Sequence, residues 1–168
     1  AAEGYNQERS TEPTVHQAQD EYIKAWCALK IMSKVYGFGD PDGFVFNMSV
    51  GYDLDGIKGR KVNTYINNMM DAGKTAQFKE CKKVLTELFP EEKDFIASIS
   101  PNVSRSVTLS TLHGCPPQEI ERIASYLLKE KHLHTFVKCN PPILGYKTAR
   151  SSLAYMGFDS VVFDEHLF

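Results

Sequence analysis

Ser106-Val107-Thr108-Leu109-Ser110-Thr111-Leu112-His113-Gly114-Cys115-Pro116-Pro117 is the stretch on which the fold turns. A β-branched run reads as a strand, a polar turn containing Gly114 follows, and two prolines stand where proline is favoured, at the first turn of a helix. Ile120, Ile123, Ala124 and Leu127 then share one helical side. The same order recurs downstream. His134 to Cys139 is strand-like, Asn140 to Gly145 is a loop, and Ala149, Leu153 and Met156 mark a helix capped by Gly157. Ser160 to Asp164 then looks like the start of a fourth strand.

Upstream, Tyr22, Trp26, Leu29, Met32 and Tyr36 recur at helical spacing, so an amphipathic helix is expected over 20–36, ended by Gly37, Gly39 and Pro41. Gly43 to Gly51 reads as a strand, apolar until Asn47, which suits a sheet covered on both faces. Two helical stretches follow, one around Val62, Ile66 and Met69, the other around Phe78, Cys81, Leu85 and Leu88, with Gly73 between them and Pro90 at the close. Strand and helix alternate without hairpin signals, which requires crossovers and a parallel sheet. The expected class is α/β, with parallel βα units and about four strands. Residues 1–17 are polar and aperiodic and are expected to be a mobile leader; 18–168 form a single domain fragment.

The chain has 168 residues, is 42% hydrophobic and 24% charged, and carries 19 basic against 21 acidic residues. That composition belongs to a globular domain. A net charge of -2 gives no electrostatic support for nucleic acid or for an anionic membrane surface. No apolar run approaches the roughly 20 residues that span a bilayer. Cys27, Cys81, Cys115 and Cys139 form no CxxC pair, which favours reduced thiols and a cytoplasmic setting. The sequence opens on Ala1 without a Met and stops at Phe168 directly after a strand-like run, the pattern of a piece cut from a larger protein. A cut parallel sheet exposes strand edges, so a homo-oligomer is expected of the isolated piece.

Ligands of parallel β/α folds lie at the carboxyl ends of strands. The candidate residues there are Asn47 and Ser49, His113 and Cys115, Lys138 and Asn140, and Asp164 to His166. Lys138, within an apolar strand, calls for an anionic or electron-rich partner, or else a structural ion pair. Cys115 precedes a helix start, where the positive dipole end favours thiolate; a small buried cap residue is the plainer reading. His113 is placed to orient a substrate or share a proton, or merely to cap. Asn47 and Ser49 offer ligand contacts or turn hydrogen bonds. Cys27, Cys81 and Cys139 are expected to be buried, inert thiols. A zinc centre from His113, Cys115 and His166 lacks a close ligand-pair motif.

Val107 to Ile123, His134 to Pro141, Leu144 to Tyr146 and Phe46 to Asp53 resemble the amino-terminal barrel-like region of selenate reductase iron-sulfur subunits. The resemblance covers most of 22–168 and implies that the parallel βα units form part of a TIM-barrel-like fold, 18–168 being one partial β/α barrel. It implies an oxidoreductase carrying flavin and iron-sulfur centres, with FAD, the clusters and NAD(P)H held by other domains, including one similar to the small subunit of glutamate synthase. Other redox subunits and a small-molecule substrate would be its partners, and the isolated piece would be inactive. More distantly, the order of elements is similar to the FMN barrels of dihydroorotate and dihydropyrimidine dehydrogenases. That likeness implies FMN in the intact barrel, places Lys138 on the flavin-contacting lysine and puts Cys115 near a loop cysteine that serves as general acid or base. The family's strand asparagine falls at or near Thr108, and its phosphate-binding loops come from later strands. The alternative function is a non-catalytic scaffold or docking domain of a redox complex.

Overall fold

Three parallel strands lie side by side in chain order: β1 (Phe46–Val50), β2 (Ser104–Leu109) and β3 (His134–Val137). This computed structural model describes residues 14–110, 115–139 and 141–167. Sequential order means that each crossover steps the same way, which is how a parallel sheet curls into a barrel arc instead of reversing at a switch point. Met48, Val50, Val107 and Leu109 alternate as the buried face. They pack with Ile57 of α2 (Leu54–Lys58), Ile66 and Met69 of α3 (Arg60–Met70), and Ile123 and Leu127 of α6 (Pro117–Lys129).

The register pairs Met48 with Val107 and Val50 with Leu109, and Ser49 with Thr108 in the intervening row. Arg105 of β2 is an extra, unpaired residue opposite the Phe46–Asn47 step, a bulge that sets that register. Thr108 in turn pairs with Phe136 of β3.

The first helix starts earlier than the composition of the leader suggests. Helix α1 (Val15–Tyr36) opens with a capping box in which the Thr14 hydroxyl accepts the Gln17 N–H and Gln17 Oε1 accepts the Thr14 N–H at 2.8 Å. Two orphan donors of the first turn are thereby satisfied, and Val15 and Ala18 are buried, so the last residues of the expected leader belong to the helix. At its other end Gly37 takes the left-handed conformation (φ 68°) that closes the turn.

Helix α1 packs beside α3 and α4 (Ala76–Leu88). Its Trp26 indole N–H donates to the Ser100 carbonyl at 2.9 Å and its ring meets Phe44 and Phe46 edge-on. Lys30 is buried against this cluster: its ammonium donates to Asp42 Oδ1 at 2.9 Å and the Pro41 carbonyl at 2.5 Å, and lies 4.2 Å from the Trp26 ring centre. This charged and aromatic seal stands at the amino ends of β1 and β2. A short α5 (Lys93–Ser98), which the helical patterning did not signal, leads into β2.

The chain divides into two compact units, Ala1–Val137 and Lys138–Phe168. In the second, α7 (Tyr146–Tyr155) is followed by a left-handed turn at Gly157 (φ 85°), the Tyr146 ring meets Phe163 edge-on, and Arg150 donates to the Asp159 carbonyl at 2.6 Å. The expected fourth strand at 160–164 makes no ladder; the described residues contain three strands. Val162 is 90% exposed, and an isolated extended segment without a neighbour's hydrogen bonds is not a strand. The continuous burial expected of the strands is also limited to one face of β1 and β2, and β3 is an exposed edge. No helix among the described residues is long and apolar enough to cross a membrane.

Leu109→Ala removes a fully buried strand side chain and is expected to lower unfolding stability by about 2–5 kcal/mol, measured by urea titration. A pH effect follows from Cys27. Burial, then the neighbouring Cys81 thiol, pushes its pKa from 9.0 to about 12. Through that window the unfolded chain has released the proton while the folded chain still holds it, so stability falls as pH rises from 9.0 toward 12. Urea midpoints at about pH 8 and about pH 10 should therefore diverge, and less so in Cys27→Ala.

Candidate functional site

Side chains alternate across a strand, so the residues between the buried ones share the opposite face of the sheet. Asn47, Ser49, Ser106 and Thr108 form a polar, half-buried block there, and His134 and Phe136 of β3 continue the same two rows. The Asn47 amide donates to Thr108 Oγ1 at 2.6 Å, tying β1 to β2 through side chains. That bond occupies the nitrogen only. Asn47 Oδ1 is buried and accepts no hydrogen bond, and such an unpaired acceptor is costly.

A second group stands where the chain leaves β1 and β2 at their carboxyl ends. Asp53 caps α2, its Oδ1 accepting the Gly56 N–H at 2.8 Å. Glu119, in the first turn of α6, accepts the Leu54 N–H at 2.9 Å through Oε1 and the Arg122 guanidinium at 2.8 Å through Oε2. One carboxylate thus clasps the loop after β1 to the helix after β2. Cys115 lies immediately before α6, half-buried, with Sγ 3.9 Å from the Pro116 carbonyl. Desolvation, then Glu119 and Asp53, raise its thiol pKa above the ordinary value. Both effects oppose the thiolate expected of a helix dipole and act to hold the proton on the sulfur.

The structure brings together Asn47, Thr108 and Ser49 on one face, and Cys115 with two carboxylates that were not anticipated. Asn47 does not stand at a strand end, being the second residue of β1. Lys138 lies just past β3, exposed and not in a buried strand, because β3 is itself an exposed edge. Cys139 is likewise exposed, against the expectation of a buried thiol. Asp164 is exposed in the second unit, where its Oδ1 accepts the His166 N–H at 2.9 Å. His113 and Asn140 lie outside the described residues. No three His, Cys, Asp or Glu side chains among the described residues are grouped to hold a metal.

Sequence reasoning missed Ser106 and Glu119. The alternation of Ser104, Ser106 and Thr108 with Arg105, Val107 and Leu109 carried the signal for the first. Glu119 had only the general preference for acids in a first turn, and its bond to Leu54 spans 65 residues.

The family described as oxidoreductase YgfK, N-terminal TIM-barrel domain, matches residues 1–168. The chain belongs to this family. YgfK of Escherichia coli strain K12 is 41% identical over 182 residues, a match that covers 99% of this chain and 18% of the relative. YgfK of Escherichia coli O157:H7 matches to the same extent. The chain therefore spans less than a fifth of the length of these relatives. No solved structure matches it. Membership in a TIM-barrel domain family agrees with the three-stranded arc, and an oxidoreductase family agrees with the class expected from the sequence.

Glu119→Gln removes the larger of the two charges acting on Cys115 while leaving an oxygen for the Leu54 N–H. Alkylation of Cys115 by iodoacetamide at fixed mildly alkaline pH should become several-fold faster, read by peptide mass spectrometry. An unchanged rate would remove Glu119 as a control on the thiol.

Proposed function

We propose that this domain forms one wall of a pocket for an uncharged, N–H-bearing heterocycle, a flavin ring or a substrate ring, within a larger flavin-dependent oxidoreductase. The observation that carries the proposal is Asn47 Oδ1, buried, unpaired and held by the Thr108 hydrogen bond. A ring N–H would satisfy it. Phe136, 58% exposed on the same face, offers a flat apolar surface beside Thr108. Asp53 and Glu119 make the neighbouring strand ends electronegative, which disfavours an oxyanion such as selenate and favours a neutral ring.

The residues suit the ring of a flavin and not its phosphate. Helix α6 opens with Pro117, which has no N–H to give, and carries Glu119 in its first turn. Asn47 and Thr108 would hold the ring and Cys115 would deliver a proton to a reduced carbon; the likeness to the FMN barrels implies Lys138 as a flavin contact. A bound flavin would supply hydride transfer. NAD(P)H, FAD and iron-sulfur centres would be carried by the remainder of the larger protein, as the resemblance to selenate reductase subunits implies. Exposure of Lys138 favours a second reading, in which this face holds substrate or docks another redox subunit and no FMN.

The test is the flavin content of the full-length protein, purified anaerobically, with FMN separated from FAD. Asn47→Ala should weaken FMN retention about tenfold, the loss of one buried hydrogen bond, and Lys138→Ala should weaken it further while FAD stays constant. FAD alone, unaffected by either substitution, would leave the second reading.

A further inference from the structure

Helices α1 and α4 pack against each other, and Cys27 of α1 and Cys81 of α4 line one cavity there. Cys27 is 1% exposed and part of the core; Cys81, half-buried, packs against it. Burial, then the neighbouring Cys81 thiol, hold the Cys27 proton on. Beside them opens a cavity of about 240 Å3, lined by Lys24, Cys27, Gln77, Cys81 and Leu85 among others. The Gln77 amide donates to Cys81 Sγ at 3.4 Å from one turn back on the same helix.

We propose that Cys27 and Cys81 are an oxidisable pair that a peroxide converts to a disulfide, covalently joining α1 to α4. Cys81 reacts first, because its sulfur is the more exposed and the Gln77 N–H would stabilise negative charge on it. The Cys81 thiolate attacks one peroxide oxygen, the O–O bond breaks, and sulfenic acid and hydroxide form; the hydroxide takes up the thiol's proton as water. The Cys27 sulfur then attacks the sulfenic sulfur, the S–O bond breaks, and a second water leaves with the Cys27 proton. Two thiols lose two electrons and two protons, and the peroxide is reduced to two waters. The high pKa of Cys27 fits this order, since a protonated buried thiol resolves the intermediate and does not start the reaction.

The product would close the segment 28–80, which contains β1, α2 and α3, into a covalent loop. The first helix would then be locked to the barrel arc.

The full-length protein is treated with hydrogen peroxide under native conditions, quenched, and digested with trypsin without reductant. The expected product is the peptide Ala25–Lys30 joined to Glu80–Lys82, lighter by two hydrogen atoms and released by dithiothreitol. Cys27→Ala, which keeps a small apolar side chain in the core, should lose the linked peptide and leave Cys81 trapped by dimedone as sulfenic acid. Cys81→Ser should abolish both signals. Recovery of both peptides reduced while Cys139 or Cys115 is oxidised would overturn the proposal, as would a link seen only after denaturation.

Discussion

The register of the parallel ladder is the constraint on which the molecule depends. Met48 opposite Val107 and Val50 opposite Leu109 place four apolar side chains in one patch, and α2, α3 and α6 assemble on it. A slip of one residue in either strand would turn that patch away from the helices and bring Asn47, Ser49 or Thr108 into the core. The polar face is therefore a consequence of the same register that builds the apolar one.

The two ends of the strands carry different burdens. At the amino end, Trp26, Phe44, Phe46 and Lys30 form a closed seal in which the ammonium has a carboxylate, a carbonyl and two rings as neighbours. Such full satisfaction marks a structural role. Near the middle and carboxyl end, satisfaction is incomplete: Asn47 Oδ1 has no donor, and Cys115 faces carboxylates that hold its proton on. Unfinished hydrogen bonding on an otherwise ordered scaffold is where a ligand has something to contribute.

Cysteine behaviour follows the same division. Cys115 is governed by charge at a loop, Cys27 by burial between helices, and Cys81 by its access to a small cavity. One residue type thus serves three chemistries, set by dielectric and neighbours.

The sequence by itself determined the α/β class, the parallel order, the helix caps at Gly37 and Gly157, and the strand segments that hold Asn47 and Thr108. Each rests on local periodicity and turn chemistry, which neighbours in the chain dictate. It also contained the Thr14 and Gln17 cap, hidden by the polar composition of the leader, and the alternation that exposes Ser106. Only the tertiary structure decided that β3 is an exposed edge with Lys138 beyond it, that 160–164 pairs with no strand, that Glu119 reaches Leu54, and that Cys27 and Cys81 line one cavity. These facts join residues far apart in the chain, or depend on which strand has a neighbour, and no local spacing encodes either.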